Sequence, residues 1–265
     1  MKNTVLEALQ KKEFEMLCQV KELFEKNDIP FFLAYGTALG CVRHGGFIPW
    51  DDDIDIHVYG ADYERIMNVF KTQDTGDLAL HDWNTVDNYP YSFPKIVSKN
   101  STLVENSAKH IDYKCGVYID IFPLYGLNGS PIKRAIESKW LYFNYCFIRA
   151  RYNKFGFWNR ISKIVNIKTI QRRIQKISDN NPCSYSYCSD TTLYSHNNHF
   201  DSRIISSNKS MDFNGVSMPL PQDYNAYLKH LYGDYMTLPP EENRVPIHNF
   251  CFLEIDGKKL IEKQS

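Results

Sequence analysis

Four aspartates stand close together near residue 50, at positions 51, 52, 53 and 55. Residues 53–58 read DIDIHV, and the alternation of a strand places Asp53 and Asp55 on one face and the aliphatic side chains on the other. Carboxylates at that separation repel each other unless a cation lies between them. Hard divalent cations prefer oxygen ligands, so the pattern predicts a site for Mg2+ or Mn2+ at Asp53 and Asp55.

Asp51 and Asp52 allow two interpretations. Aspartates that follow Pro-Trp often form a solvated turn or cap a helix, because their side chains accept hydrogen bonds from nearby backbone N–H groups. They are equally compatible with a place in the metal site. For Asp53 and Asp55 the turn interpretation is weaker, since unpaired carboxylates on a half-buried strand are costly.

The residues before the aspartates predict an anion-binding turn. Residues 29–35 (IPFFLAY) form a short apolar strand that ends at Gly36-Thr37, and residues 38–43 are typical of one or two helical turns. Backbone N–H groups at a helix N-terminus attract anions, Gly36 allows close approach, and the Thr37 hydroxyl can donate to a phosphate oxygen. The pattern indicates a phosphate site just before the Asp-x-Asp strand.

The run from Gly36 to Asp55 resembles the signature of the LicD family of phosphotransferases, and fukutin and fukutin-related protein are similar to it as well. Two later segments fit the same family, GVYIDIFPL at 116–124 and YGDYMTLPPEENR at 232–244. The resemblance implies the nucleotidyltransferase fold, similar to the palm of DNA polymerase beta. We therefore expect an α+β fold with a mixed sheet, flanking helices and an added helical region.

The resemblance also implies roles for single residues. Gly36 and Thr37 correspond to the phosphate turn, which would bind the donor. Asp53 and Asp55 correspond to metal ligands and catalytic residues. Asp120 fits the third catalytic carboxylate, as a metal ligand or a general base.

Asp120 also stands out in its local pattern. Residues 117–122 alternate as a strand would, with Asp120 on the face opposite the aliphatic residues. A lone aspartate on a strand is more often a surface residue, and its pairing with Asp53 and Asp55 is what favours a functional role. Related sequences recruit the outer aspartate too, so Asp51 is predicted as a secondary metal ligand.

The reaction that such a site supports is phosphoryl transfer assisted by two metal ions. In the family the donor resembles a CDP-linked alcohol, with CDP-choline as the best guess, so that CMP leaves. The expected acceptor is a sugar hydroxyl of a cell-surface glycan such as lipopolysaccharide or capsule, or a lipid-linked oligosaccharide. Two alternatives stay open: transfer of a nucleoside monophosphate to a small molecule or RNA, and a non-catalytic nucleotide-binding protein.

Three cations are further candidates for donor binding. Arg43 and His44 follow the phosphate turn and either contact donor phosphate or stabilise a helix C-terminus through the macrodipole. Lys95 begins a predicted strand and either pairs with phosphate as a point charge or is a surface lysine.

Composition limits which binding partners and which cellular compartment we expect. The 265 residues include 31 basic and 31 acidic ones, which argues against a general nucleic-acid binder. The seven cysteines are odd in number and scattered, no cleavable signal opens the chain, and no apolar run reaches the ~20 residues of a membrane span. We expect a cytoplasmic protein.

Residues 139–178 carry ten lysines or arginines and no acidic residue, interleaved with aromatic residues. The segment either contacts an anionic membrane, a lipid-linked pyrophosphate acceptor or nucleic acid, or forms a helical hairpin packed on the sheet. Peripheral contact with the inner face of the membrane is therefore a hypothesis.

A second group of metal-ligand types is Cys183, Cys188, His196 and His199. The gap between the two pairs is shorter than in ordinary zinc fingers, and free thiols in a cytoplasmic loop need no metal. Structural zinc is not expected there.

The predicted domains are a catalytic core with an N-terminal helix (1–130), a basic and aromatic helical region (131–200) and a C-terminal segment that packs back on the core (201–265). The predicted elements are listed in chain order: helix 3–27, strand 31–35, helix 36–43, strand 53–58, helix 61–71, mixed strands 78–122, helices 131–150 and 158–178, a loop 179–200, a hairpin near 200–218, a helix 222–232 and a strand 250–256.

Overall fold

The computed structural model describes residues 3–150, 187–190, 199–205 and 208–262, together with positions 169, 172 and 176. Helices and strands both pack around one main apolar core, so the expected α+β fold is confirmed. The helices of these ranges are α1 (Asn3–Lys26), α2 (Tyr35–His44), α3 (Tyr63–Thr72), α4 (Pro131–Ala150) and α5 (Tyr224–Tyr232).

The described strands form a mixed sheet, a separate three-stranded sheet and a hairpin. Their bounds are β1 (Phe31–Leu33), β2 (Asp55–Tyr59), β3 (Leu78–His81), β4 (Lys95–Ser98), β5 (Ser101–Glu105), β6 (Tyr118–Leu127), β7 (Tyr187–Ser189), β8 (Phe200–Asp201), β9 (Asn208–Phe213), β10 (Val216–Pro221), β11 (Phe250–Ile255) and β12 (Lys258–Glu262).

The mixed sheet has the order β1-β2-β6-β4-β3, and β7 and β8 extend the far end of β6. Strands β2 and β6 are parallel, whereas β1 pairs with β2, and β4 with β6, in the antiparallel sense. The register places Asp55 opposite Asp120 and Lys95 opposite the same Asp120. Paired residues on neighbouring strands point to one face, so the register alone aligns these three side chains.

The opposite face of the central strands is apolar. Ile54, Ile56 and Val58 are fully buried, as are Ile119 and Ile121 on β6. This alternation is what the sequence predicted for both segments. It fixes Asp55, Asp120 and Lys95 on one face, because a shift of one residue in either strand would turn the carboxylates into the apolar core and the isoleucines toward the acidic face.

Helix α1 packs its apolar face into the main core. Leu9, Met16, Val20 and Phe24 are fully buried and recur at the spacing of one helical face. The helix ends at Lys26, and Asp28 then adopts a left-handed φ of 53° before the chain enters β1. The burial of this face fixes α1 against the segment that carries the aspartates.

The C-terminal part returns to the core at two places. Strand β11 pairs with β5, and β9 and β10 form the predicted hairpin, with Asn214 and Gly215 at positive φ in its turn. The segment 233–249, between α5 and β11, passes beside the aspartates and brings His248 to Asp52.

Most of the predicted elements are confirmed, and most of their ends shift by no more than three residues, although the hairpin begins at Asn208 and β6 runs on to Leu127. Three further differences have a physical reason. The strand of the Asp-x-Asp motif begins at Asp55, so Asp53 lies in the preceding loop. The predicted loop 179–200 contains β7, which pairs with the end of β6. Strand β12 was not predicted, because its charged residues conceal its pairing with β11. The predicted helix 158–178 falls almost wholly outside the described residues.

Candidate active site

Asp55, Asp120 and Lys95 form a buried row across three neighbouring strands. The Lys95 ammonium lies 2.5 Å from Oδ1 of Asp120, and the lysine is only 1% exposed. Its Nζ atom also lies 3.3 Å from the centroid of the Tyr118 ring, a cation–π contact. The lysine predicted to be a surface or phosphate-binding residue is therefore held by Asp120, and the surface alternative is wrong.

Burial and like charge govern the electrostatics of this row. Burial raises the pKa of Asp120 to about 6, although the charge of Lys95 opposes that shift. Burial also raises the pKa of Asp55 well above its usual value, and repulsion from Asp53 and Asp120 adds to the effect. Burial lowers the pKa of Lys95, but the charges of Asp120 and Glu105 and the hydrogen bond to Asp120 together outweigh burial and raise that pKa, so the lysine is charged.

Asp51 and Asp53 both lie in the loop before β2, and the charge of Asp53 acts on the Asp51 carboxyl group. Burial raises the pKa of both, and the charges of Asp53 and Asp52 raise that of Asp51 further. The backbone of Asp51 forms a turn, since its N–H donates to the carbonyl of Ile48. The backbone of Asp51 thus makes a turn and its side chain lies with the acidic cluster, while its role as a metal ligand stays a prediction.

Gly36 and Thr37 lie in the first turn of α2, beside the same cluster. A Cβ atom on Gly36 would lie 3.0 Å from Oδ2 of Asp51, so any other residue there would press on the Asp51 carboxylate. The Thr37 hydroxyl accepts a hydrogen bond from the N–H of Asp55 at 2.8 Å, which ties α2 to β2. Because a hydroxyl can also donate, its hydrogen is available to a phosphate oxygen.

Asp52 is anchored by His248, a residue 196 positions further along the chain. The carboxylate accepts from the His248 backbone N–H at 3.0 Å, and Nδ1 of the ring lies 3.0 Å from Oδ1. Although burial lowers the pKa of His248, the hydrogen bond to Asp52 and the charge of Asp53 raise it to about 9. The sequence assigned no role to this histidine, since nothing local marks its contact with Asp52.

The Asp52–His248 pair predicts a dependence of stability on pH. The folded-state pKa of His248 lies above the unfolded value of 6.5, so its stabilisation is complete below pH 6.5 and is lost as the pH rises through about 9. We compare the free energies of unfolding of the metal-free unmodified protein and of His248→Gln. The difference between them should fall by on the order of 2–3 kcal/mol between pH 6.5 and about 9. Urea unfolding of both proteins at several pH values measures it, and a constant difference would contradict the assignment.

The donor set of the cluster fits a hard divalent cation. The side chains of Asp51, Asp53, Asp55 and Asp120 supply only carboxylate oxygens, which are the ligands that Mg2+ and Mn2+ prefer. Their raised pKa values reflect buried negative charge in excess of what Lys95 balances. A bound cation would offset that excess.

A second arrangement of ligand atoms lies at the edge of the cluster. Three ligand atoms, one each from Asp52, Asp53 and His248, lie within 4.8 Å of one another. Without a cation the pKa of His248 is about 9, so a metal at this place would have to displace the proton of the ring. Among the described residues this is the group whose ligand atoms come so close together, so a cation at Asp53, Asp55 and Asp120 stays a prediction.

Arg43 and His44 lie in the last turn of α2, at the end of the helix opposite the phosphate turn. The Arg43 guanidinium donates to the carbonyl of Tyr235 at 2.9 Å and to the His44 ring at 3.0 Å. Burial and the charge of Arg43 lower the pKa of His44. These contacts fit the helix-end interpretation, whereas contact with donor phosphate stays a prediction.

A cleft of about 760 Å³ opens beside Asp52 and His248. Its wall includes Trp50, and the guanidinium of Arg244 lies 5.8 Å from the centroid of a Trp50 ring. Exposed apolar side chains, Val245 and Ile247, line the rim. The volume lies within the range of small-molecule sites, and sequence reasoning did not identify this cleft.

Two predictions fall partly or largely outside the described residues. Of the four residues considered for zinc, only Cys188 and His199 are described, and the Cys188 thiol is buried 3.9 Å from the carbonyl oxygen of Phe200. The basic segment 139–178 is described only as far as the end of α4 and at three later positions. Within the described ranges, no helix has the length and apolar character that crossing a bilayer requires.

Comparison with known proteins adds independent information. Residues 28–154 match the family model described as "LicD/FKTN/FKRP, nucleotidyltransferase domain". The chain is 27% identical over 248 residues to the lipopolysaccharide cholinephosphotransferase LicD of Haemophilus influenzae, covering 85% of this chain and 89% of that protein. It is 26% identical over 111 residues to the ribitol 5-phosphate transferase FKRP of mouse and human, covering 42% of this chain and 20% of theirs.

Proposed function

We infer that this chain, whose residues 28–154 form a domain of the LicD/FKTN/FKRP family, is a phosphotransferase that transfers a phospho-alcohol to a glycan. The LicD protein of Haemophilus influenzae, a cholinephosphotransferase, aligns with most of the chain. The mammalian FKRP proteins, which align over a shorter stretch, transfer ribitol 5-phosphate. What the two kinds of relative have in common is a phosphate group that carries a small alcohol.

We further propose that the donor is a CDP-linked alcohol, with CDP-choline as the first candidate, and that the reaction requires Mg2+ or Mn2+. Asp53, Asp55 and Asp120 hold the cation, with Asp51 as a secondary ligand. When bound there, the cation would supply positive charge against the donor diphosphate and would lower the pKa of the acceptor hydroxyl. The observation that carries the proposal is the buried row in which Asp55 and Asp120 lie side by side on parallel strands, next to Asp53.

The residues of the chain orient the reactants around this row. The first turn of α2 presents backbone N–H groups and the Thr37 hydroxyl to the donor phosphates. The acceptor oxygen attacks the phosphorus that bears the alcohol, the bond from that phosphorus to the bridging oxygen breaks, and CMP leaves with the electron pair. The hydroxyl proton passes to a carboxylate of the cluster. Lys95 keeps Asp120 in position through their ion pair.

The product distinguishes this proposal from nucleotide transfer. We expect CDP-choline, Mg2+ and lipopolysaccharide to give CMP and a phosphocholine-bearing glycan, and EDTA to stop the reaction. Release of phosphocholine with CMP bound to the acceptor would instead show a nucleotidyltransferase. A thermal-shift screen of donors carrying choline, ethanolamine, glycerol or ribitol identifies the alcohol if CDP-choline is not consumed.

A further inference from the structure

One acidic side chain of α1 points into the site from outside the matched family domain. Glu13 is only 2% exposed, and its helix precedes residue 28, where the family match begins. Gln10, three positions earlier, donates from Nε2 to the carbonyl of Asp51 at 2.8 Å. Residues three apart lie on one face of a helix, so the same face that holds the aspartate loop carries Glu13.

The Glu13 carboxyl is incompletely satisfied in its buried position. Its Oε2 atom is buried and has no hydrogen-bond partner among the described residues. A buried charge without a partner is costly, and an unsatisfied group of this kind in a native protein calls for an explanation such as a bound ion. The adjacent Lys12 does not supply one, because its ammonium binds Asp77 and Asp256 at 2.9 and 3.0 Å.

The contact between Gln10 and the carbonyl of Asp51 places this helix face on the aspartate loop, and the charges that act on Glu13 agree with that placement. After burial, the strongest influences on its pKa are repulsion from Asp53, Asp52, Asp51 and Asp120, and together they hold that pKa well above its usual value. All four are aspartates of the proposed site or of the loop that carries it. Glu13 therefore faces the acidic cluster, and it adds negative charge where negative charge is already in excess.

We propose that Glu13 belongs to the divalent-cation site, where its carboxylate supplies a further negative charge that the bound cation neutralises. The proposal rests on the metal-dependent function proposed above. It gives α1 a positioning role, because the helix covers one side of the site and Glu13 strengthens cation binding. Without a cation, the same carboxylate destabilises the fold.

The test compares Glu13→Gln, which keeps the shape and removes the charge, with Glu15→Gln on the same helix. Glu15 is an exposed partner of Lys11 and serves as the matched control. Titration calorimetry with Mn2+ should give about tenfold weaker binding for Glu13→Gln and unchanged binding for Glu15→Gln. In EDTA, Glu13→Gln should unfold at the same or a higher temperature than the unmodified protein, and Mn2+ should raise its unfolding temperature by less.

A second variant, Glu13→Asp, keeps the charge and should bind Mn2+ more tightly than Glu13→Gln. Equal Mn2+ affinity in the unmodified protein and Glu13→Gln would overturn the role of Glu13 while leaving the metal site intact. Absence of Mn2+ binding to the unmodified protein would instead overturn the metal-dependent function and this proposal with it. The two failures are thus distinguishable by the affinity of the unmodified protein.

Discussion

Asp55→Asn is expected to lower the rate of transfer by two to three orders of magnitude, equivalent to roughly 3–4 kcal/mol of activation free energy. The amide keeps the size of the side chain but removes the charge that would hold the cation beside Asp120. The metal-free protein should unfold at the same temperature or a higher one, because burial and repulsion from Asp53 disfavour the Asp55 carboxylate. Steady-state rates and thermal unfolding in EDTA measure the two effects.

Asp87→Asn is the matched control for this change. Asp87 is an exposed aspartate in a turn, so the same substitution there should leave both the rate and the stability unchanged. An Asp55→Asn protein with normal turnover would remove Asp55 from the reaction. A variant that loses activity only because it unfolds would have a lower unfolding temperature, which is the opposite of the expected result.

Lys95→Met is expected to destabilise the fold by about 3–5 kcal/mol, because it leaves Asp120 buried beside other carboxylates without its cationic partner. Mg2+ should recover part of this loss by compensating the charge. Urea unfolding with and without Mg2+ measures both. By comparison, Lys21→Met breaks an ion pair with the exposed Glu25 and should cost less than about 1 kcal/mol.

The double variant Lys95→Met/Asp120→Asn separates the structural role of the pair from its role in the reaction. Removing both charges eliminates the buried unpaired carboxylate, so most of the stability should return. Activity should not return, because Asp120 is a proposed ligand of the cation. If Lys95→Met alone unfolds like the unmodified protein, the ion pair does not stabilise this row.

The parts of the site that follow from local pattern were predictable from sequence. Alternation placed Asp55 and Asp120 on the polar faces of their strands, and the glycine at position 36 indicated a close approach. That these two strands are neighbours was implied only by the family resemblance, and their parallel pairing was not predicted, since register depends on contacts across the whole sheet.

Other parts depend on residues that are distant in sequence. In the sequence, Lys95 looks like any lysine on a strand. Only the strand register places it opposite Asp120. His248 reaches Asp52 only because β11 pairs with β5 and brings the preceding segment over the loop. Glu13 was placed in a charged helix and not assigned to the site, because a single glutamate gives no local signal of burial. These contacts are tertiary, and helix or strand periodicity does not encode them.

Anomalous diffraction from crystals soaked with Mn2+ and CDP-choline tests most directly whether Asp53, Asp55 and Asp120 hold the catalytic cation. We predict a manganese peak within ligand distance of carboxylate oxygens of all three residues, with the donor phosphates against the first turn of α2. A peak only at Asp52, Asp53 and His248, or no peak at either place in crystals that bind the donor, would contradict this account of the site.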